Sequence, residues 1–276
     1  MSKWMKHIAL LLLTALALPG LSGCFETPEP EDLPDRLLVQ AYLWSGAPAW
    51  DITLQYVNPA TGAQRAASGL QVNLTQGTTT ILLEEEVAGS GRYEDRQGQW
   101  IIEPGLVYDL LIVDGENRYY ASTQVPYPAN EYAINSEAFS VGDSSEVLPS
   151  YIEVDWFDAN AGQRPGWYKA AISPVEQDTL VPIAPAKQLL DSQAVYTLIY
   201  EEPVQESSLF IFPGLVEYYG AHKLTITAYQ SAYINFADAE PGTIINLGSD
   251  APGNIVNGLG IFSGFTRSEI IFFVED

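Results

Sequence analysis

The chain has 276 residues, with 35 acids against 12 lysines and arginines, a formal charge of −23 at neutral pH. Such a balance repels the phosphates of nucleic acid and anionic headgroups, which excludes a DNA or RNA role. Hydrophobic residues make up 47%, enough to bury a core, so this is not the composition of a disordered chain.

The first residues read as an export signal. Lys3 and Lys6 form a basic start, and Ile8 to Leu18 is an apolar run broken only by Thr14. That run is too short to span a bilayer as a stable helix, and Pro19-Gly20 ends it. Leu21-Ser22-Gly23-Cys24 follows, and Cys24 is the only cysteine in the chain. This box resembles the bacterial lipobox, which implies cleavage between Gly23 and Cys24 and lipidation of Cys24. Several acyl chains there would anchor the protein, each buried CH₂ contributing ~0.8 kcal/mol. Without a second cysteine no disulfide forms, so the fold depends on its core. Residues 24–36 form an acidic, proline-rich tether in which Pro28, Pro30 and Pro34 stiffen a solvated segment.

Strand signals dominate from there on. Leu37 to Trp44 is an apolar run ending at Ser45-Gly46, and Asp51 to Asn58 alternates with Ile52, Leu54 and Tyr56 on one face. Leu70, Val72 and Leu74 alternate with polar residues, and Thr78 to Leu83 continues the series. Pro104-Gly105 turns into Val107 to Val113, and Asp114-Gly115 marks a hairpin into Arg118 to Val125. Short strands at this spacing predict an Ig-like or transthyretin-like β-sandwich over residues 37–126. Pro126-Tyr127-Pro128 reads as a hinge into a second β-rich domain, residues 127–276. Its expected strands are Tyr151 to Phe157, Trp167 to Ile172, Val195 to Tyr200, Leu209 to Phe212, Lys223 to Tyr229 and Ile270 to Val274. Helical periodicity is confined to Pro185 to Gln193 and Ser231 to Ala239. The fold class is mainly β.

Several segments carry a family resemblance. They are Gly91-Arg92-Tyr93, Glu103-Pro104-Gly105-Leu106-Val107-Tyr108-Asp109-Leu110, and Arg118 to Pro126 with its Ala121-Ser122-Thr123-Gln124-Val125-Pro126 ending. Near the C-terminus stand Thr227 to Tyr233 and Gly253-Asn254-Ile255-Val256-Asn257-Gly258-Leu259-Gly260-Ile261-Phe262. Together, in this order, they resemble the Bacteroidota outer-membrane lipoprotein family filed as domain of unknown function 4249. Asn257 stands where that family commonly has glycine, and about residues 130–220 carry no matching segment. The resemblance implies an outer-membrane lipoprotein, held by its lipid and associated with TonB-dependent receptors. It implies no reaction and no catalytic residues. The acids behind Cys24 also resemble surface-export signals of such lipoproteins.

Candidate chemistry is sparse. After cleavage His222 is the one histidine left, and a role in nucleophilic catalysis needs partners it lacks in the sequence; a loop-edge histidine is the expectation. With one histidine and no free thiol, no metal site of the usual kind and no cofactor is expected. In Glu84-Glu85-Glu86 only Glu84 and Glu86 share a strand face, as at a solvated strand end. Asp155, Asp158, Asn160 and Gly162 loosely resemble a calcium loop but lack its spacing and terminal glutamate. The glycines of 253–264 are expected to set turns and a bulge. Trp156, on one face with Ile152 and Val154, is expected in the core, and Trp50 outside it. The reading is a non-enzymatic accessory or binding lipoprotein, with a structural or assembly role as the alternative and a carboxylate-based hydrolase as a remote one.

Overall fold

The computed structural model describes residues 34–98, 100–141, 151–157, 167–175, 181–183, 197–198, 205, 208–237 and 253–276. The signal segment with Gly23 and Cys24, the tether up to residue 33, the helix expected over 185–193, and Asp158, Asn160 and Gly162 lie outside the described residues.

The mainly β expectation holds. The N-terminal strands are β1 (Arg36–Trp44), β2 (Asp51–Val57), β3 (Gln64–Ala66), β4 (Gln71–Gln76), β5 (Thr79–Glu85), β6 (Arg92–Glu94), β7 (Val107–Asp114) and β8 (Asn117–Gln124). After the Pro126-Tyr127-Pro128 segment come β9 (Asn130–Ile134), β10 (Ala138–Ser140), β11 (Ile152–Phe157), β12 (Trp167–Pro174), β13 (Val181–Pro182) and β14 (Thr197–Leu198). The last strands are β15 (Ser208–Ile211), β16 (Tyr218–Tyr229) and β17 (Leu259–Glu275). A short α-helix, α1 (Ser231–Ala237), follows β16 where the sequence predicts it.

The strands β17-β1-β2-β6-β5-β4-β7-β8 pair in that order and fold over a single core. The alternation seen in the sequence explains it: Ile52 and Leu54 from β2 meet Val72 and Leu74 from β4 and Leu110 and Ile112 from β7. Each such aliphatic side chain, fully buried, contributes roughly 1.5–3 kcal/mol. In β1 the alternation is incomplete, with Leu37, Leu38 and Val39 all buried and the residues between Val39, Ala41 and Leu43 half-buried, because both of its faces are at least partly covered. Val39, Ala41 and Leu43 enter this core, while Leu38 packs on the other side with Val57 and Leu259. A continuous apolar run is the pattern expected of such an inner strand.

The second layer pair is built the same way. β12, β16 and β17 form one sheet, and β15-β11-β9 forms the other. Ile152, Val154 and Trp156 from β11 pack with Leu224, Ile226, Phe272 and Val274 from β16 and β17. Trp156 is buried, as expected, with an edge-on contact to Tyr168.

β17 joins both cores. Its first part runs parallel to β1, from Leu38↔Leu259 to Trp44↔Phe265, and puts Phe262 into the first core. Its remainder runs antiparallel to β16, from Tyr229↔Phe265 to Gly220↔Val274. Burial changes accordingly, from continuous over Leu259–Thr266 to alternating beyond it. Gly260, at φ +103°, has no room for a side chain, because a Cβ would run into the Val39 carbonyl oxygen. The glycine is therefore demanded by the close approach of two backbones. Asn257 has φ +66°, the left-handed region that asparagine tolerates better than other residues with a side chain, and its Nδ2 donates to Arg118 O at 3.0 Å. Asn254 acts as a clamp: its Nδ2 donates to Phe262 O at 2.8 Å, and the Phe262 N–H donates to its Oδ1 at 2.8 Å. The proline segment between the sandwiches is tied to the same strand, since the Thr266 hydroxyl donates to Pro126 O.

Candidate functional site

Three adjacent strands present their outer residues in register. Lys169 of β12 lies opposite Thr227 of β16, which lies opposite Arg267 of β17. The next rows along are Ala171, Thr225 and Glu269, then Ser173 and Lys223. Because side chains alternate across a strand, these residues share the face turned away from the second core. Large residues at the rim and small ones at Ala171 and Thr225 leave a cavity of about 260 Å³, closed at one end by Tyr229.

The electrostatics of this trough run against those of the chain. Three of its twelve lysines and arginines converge here. Lys223 pairs with Glu269 at 3.0 Å. Among the described residues neither Lys169 nor Arg267 has a carboxylate partner, and the hydroxyls of Ser173, Thr225 and Thr227 have no hydrogen-bond partner. Arg267 instead lies over the Trp44 ring, 5.2 Å from its centroid. Trp44 in turn stacks on Phe265 at 4.8 Å, and Tyr42, Tyr229 and Tyr233 surround Phe265 edge-on. This aromatic floor, where β1, β16, β17 and α1 meet, fixes one side of the trough.

A second surface lies on the outer face of the three-stranded sheet. Phe210 and Phe212 are 43% and 50% exposed, although side chains of this size are usually inside. Their rings stack at 6.1 Å, and Tyr151 packs against both, at 5.8 and 6.0 Å.

The residues weighed from the sequence fall mostly into structural roles. His222 is not at a loop edge; it sits within β16, 2% exposed, with its ring stacked on Phe272 at 5.5 Å. Its Nδ1 is 3.1 Å from Gly220 O, so it carries the proton and donates to that carbonyl. Burial holds its pKa below the ordinary value, outweighing that bond. Glu84 and Glu86 flank exposed ion pairs, with Arg96 at 3.6 Å and Arg92 at 3.1 Å. Glu85 between them is a loop organiser: its carboxylate accepts from Gly91 N–H at 2.7 Å, the Ser68 hydroxyl at 2.7 Å and Gly69 N–H at 3.3 Å. Partial burial raises its pKa, but these bonds outweigh it and the net shift is downward. Asp155 lies on β11 opposite Ser208. Trp50 is 57% exposed, as expected. Among the described residues, no cluster of three or more His, Cys, Asp or Glu side chains converges, and no helix is long and apolar enough to cross a membrane.

The trough escaped the sequence reading because its residues are far apart in the chain. One signal was present: Lys223-x-Thr225-x-Thr227 and Arg267-x-Glu269 place polar residues on every second position, and Lys169-x-Ala171-x-Ser173 does so with a small alanine between. Which strands lie side by side could not be read from any one of them.

No family model and no curated protein matches this sequence. Among solved structures, the FN1–FN3 domains of chicken CNTN1 align with 86% of this chain at 12% identity and a TM-score of 0.28. The match spans 66% of that three-domain chain, just under two thirds, and a likeness this distant carries no argument about fold or function.

Proposed function

We propose that this protein is a lipid-anchored accessory or binding protein of the cell envelope, working at the outer membrane beside a larger partner. The observation that carries the reading is the exposed pair Phe210 and Phe212, backed by Tyr151, a surface of the kind that marks contact sites. The layout around Cys24 supports the lipid anchor, and the acidic, proline-rich stretch behind it supports a tethered domain. The resemblance to the lipoprotein family of unknown function 4249 supports a TonB-dependent receptor as the partner. Its glycine-preferring position falls at Asn257, whose left-handed backbone fits that preference. No reaction is proposed; Glu84 and Glu86 form ion pairs, and Glu85 holds a loop.

The test is gentle detergent extraction of native membranes with recovery of this protein and whatever accompanies it. Stoichiometric recovery of a TonB-dependent barrel, lost in the Phe210→Ser, Phe212→Ser double variant, is the expected result. Recovery of the lipoprotein alone overturns the partner reading and leaves a free-standing role. Cys24→Ser is expected to release the protein from the membrane fraction; continued membrane retention of that variant would sink the lipid anchor.

A further inference from the structure

We propose that the trough on the outer face of β12, β16 and β17 binds an acidic saccharide, its carboxylate held between Lys169 and Arg267 above Thr227. The proposal deepens the reading of this chain as a binding protein, on a face separate from the Phe210 cluster.

The geometry supplies the charge. Lys169 and Arg267 flank Thr227 on neighbouring strands, so their backbones are about 10 Å apart at the usual strand spacing. Two long cationic side chains rooted at that separation can converge on one anion from opposite sides. Each lacks a carboxylate partner among the described residues, in a chain where acids outnumber basic residues about threefold. Arg267 rests on the Trp44 ring, but neither its charge nor that of Lys169 is met by a carboxylate among the described residues, and an incoming anion would meet both.

The rest of the trough selects the body of the ligand. Hydroxyls of Ser173, Thr225 and Thr227 line it without partners among the described residues. Glu269, oriented by Lys223, offers an acceptor at the rim. A ligand that satisfies these groups together with the cations carries several hydroxyls and one negative charge. Tyr229, stacked on Tyr233, puts an aromatic side chain at one end of the cavity, against which a sugar ring can pack. A volume of about 260 Å³ lies below the ~300–1,000 Å³ of drug-sized sites, and suits a single ring.

Size also decides against an acidic polymer. Charges are screened beyond about 8 Å at physiological salt. A single uronate bound over Thr227 therefore responds to the nearby cations, whereas a polyanion would extend over the acidic remainder of the surface.

The experiment titrates the detergent-extracted full chain with D-galacturonate, D-galactose and inorganic phosphate, by saturation-transfer NMR and calorimetry. Galacturonate is expected to bind about tenfold or more tighter than galactose, the factor expected of one charge-assisted hydrogen bond. Lys169→Met and Arg267→Met should each weaken galacturonate about tenfold while leaving Tm unchanged, and Lys169→Arg should restore binding. Equal binding of galactose, indifference to both methionine variants, or no galacturonate binding overturns the proposal. Phosphate binding as tightly as galacturonate also overturns it, since the hydroxyl contacts would then contribute nothing. The two methionine variants should still recover the membrane partner, so failure of this site and failure of the partner reading register in different assays.

Discussion

The two sandwiches use their outer surfaces differently. In the first, polar side chains turn back on the chain itself: Glu85 accepts from the Ser68 hydroxyl and the Gly69 and Gly91 N–H groups, Asn254 clamps Phe262, and Tyr56 donates to Asp114 at 2.6 Å. In the second, polar side chains on β12, β16 and β17 point outward with few partners among the described residues, and aromatic rings stand exposed on the opposite sheet. The contrast teaches that satisfied polar groups hold a fold, while unsatisfied ones on rigid strands are available to something else.

The sharpest way to break the comparison is to empty each core. Phe272→Ala, in the second, and Leu54→Ala, in the first, should cost about 3–5 and 2–5 kcal/mol, read by chemical denaturation. Because β17 contributes to both, each variant should still unfold in one transition by fluorescence and far-UV circular dichroism. Two resolved transitions would show that the sandwiches are uncoupled. Gly260→Ala should cost on the order of 3 kcal/mol, since it forces both left-handed strain and separation from Val39. A neutral outcome would mean that β17 can shift on β1. Asn254→Ala should cost about 1–3 kcal/mol, leaving the Phe262 N–H and carbonyl without their clamp.

His222 gives a smaller, pH-dependent effect in the second core. Its folded pKa lies below the unfolded value, so the unfolded chain binds more protons and stability rises with pH. The contribution is complete above about pH 6.5, the ordinary value for histidine, and is lost as pH falls through the lower folded pKa. His222→Phe should flatten that part of the stability profile, and an unchanged profile would place the dependence elsewhere. At the bottom of the scale, Glu86→Gln removes an exposed pair with Arg92 and should change stability by about 0–1 kcal/mol.

Much of the fold was legible because the side-chain period is local. Ile52 and Leu54, or Ile152, Val154 and Trp156, announce an inward face within a few residues. The Asp114-Gly115 hairpin was equally local, and Gly115 takes the positive φ its turn needs. His222 was misplaced because its neighbour Tyr218-Tyr219-Gly220 reads as a turn, whereas β16 continues through it. The trough was not legible at all. It exists only because β17 pairs with β16, bringing Arg267 beside Thr227 across forty residues of sequence, and pairing of that range leaves no local mark.

The parallel pairing of β1 with β17 has a mechanical consequence. A pull applied to the N-terminal end of β1 and the C-terminal end of β17 acts along the two strands in opposite directions. The bonds from Leu38↔Leu259 to Trp44↔Phe265 are then sheared together rather than opened one after another. Under tension this geometry should resist far more force than an antiparallel hairpin peeled from its end, such as β7 with β8, and should give way abruptly. A protein held at its N-terminal side while something tugs at its far end would hold firm, and then fail all at once.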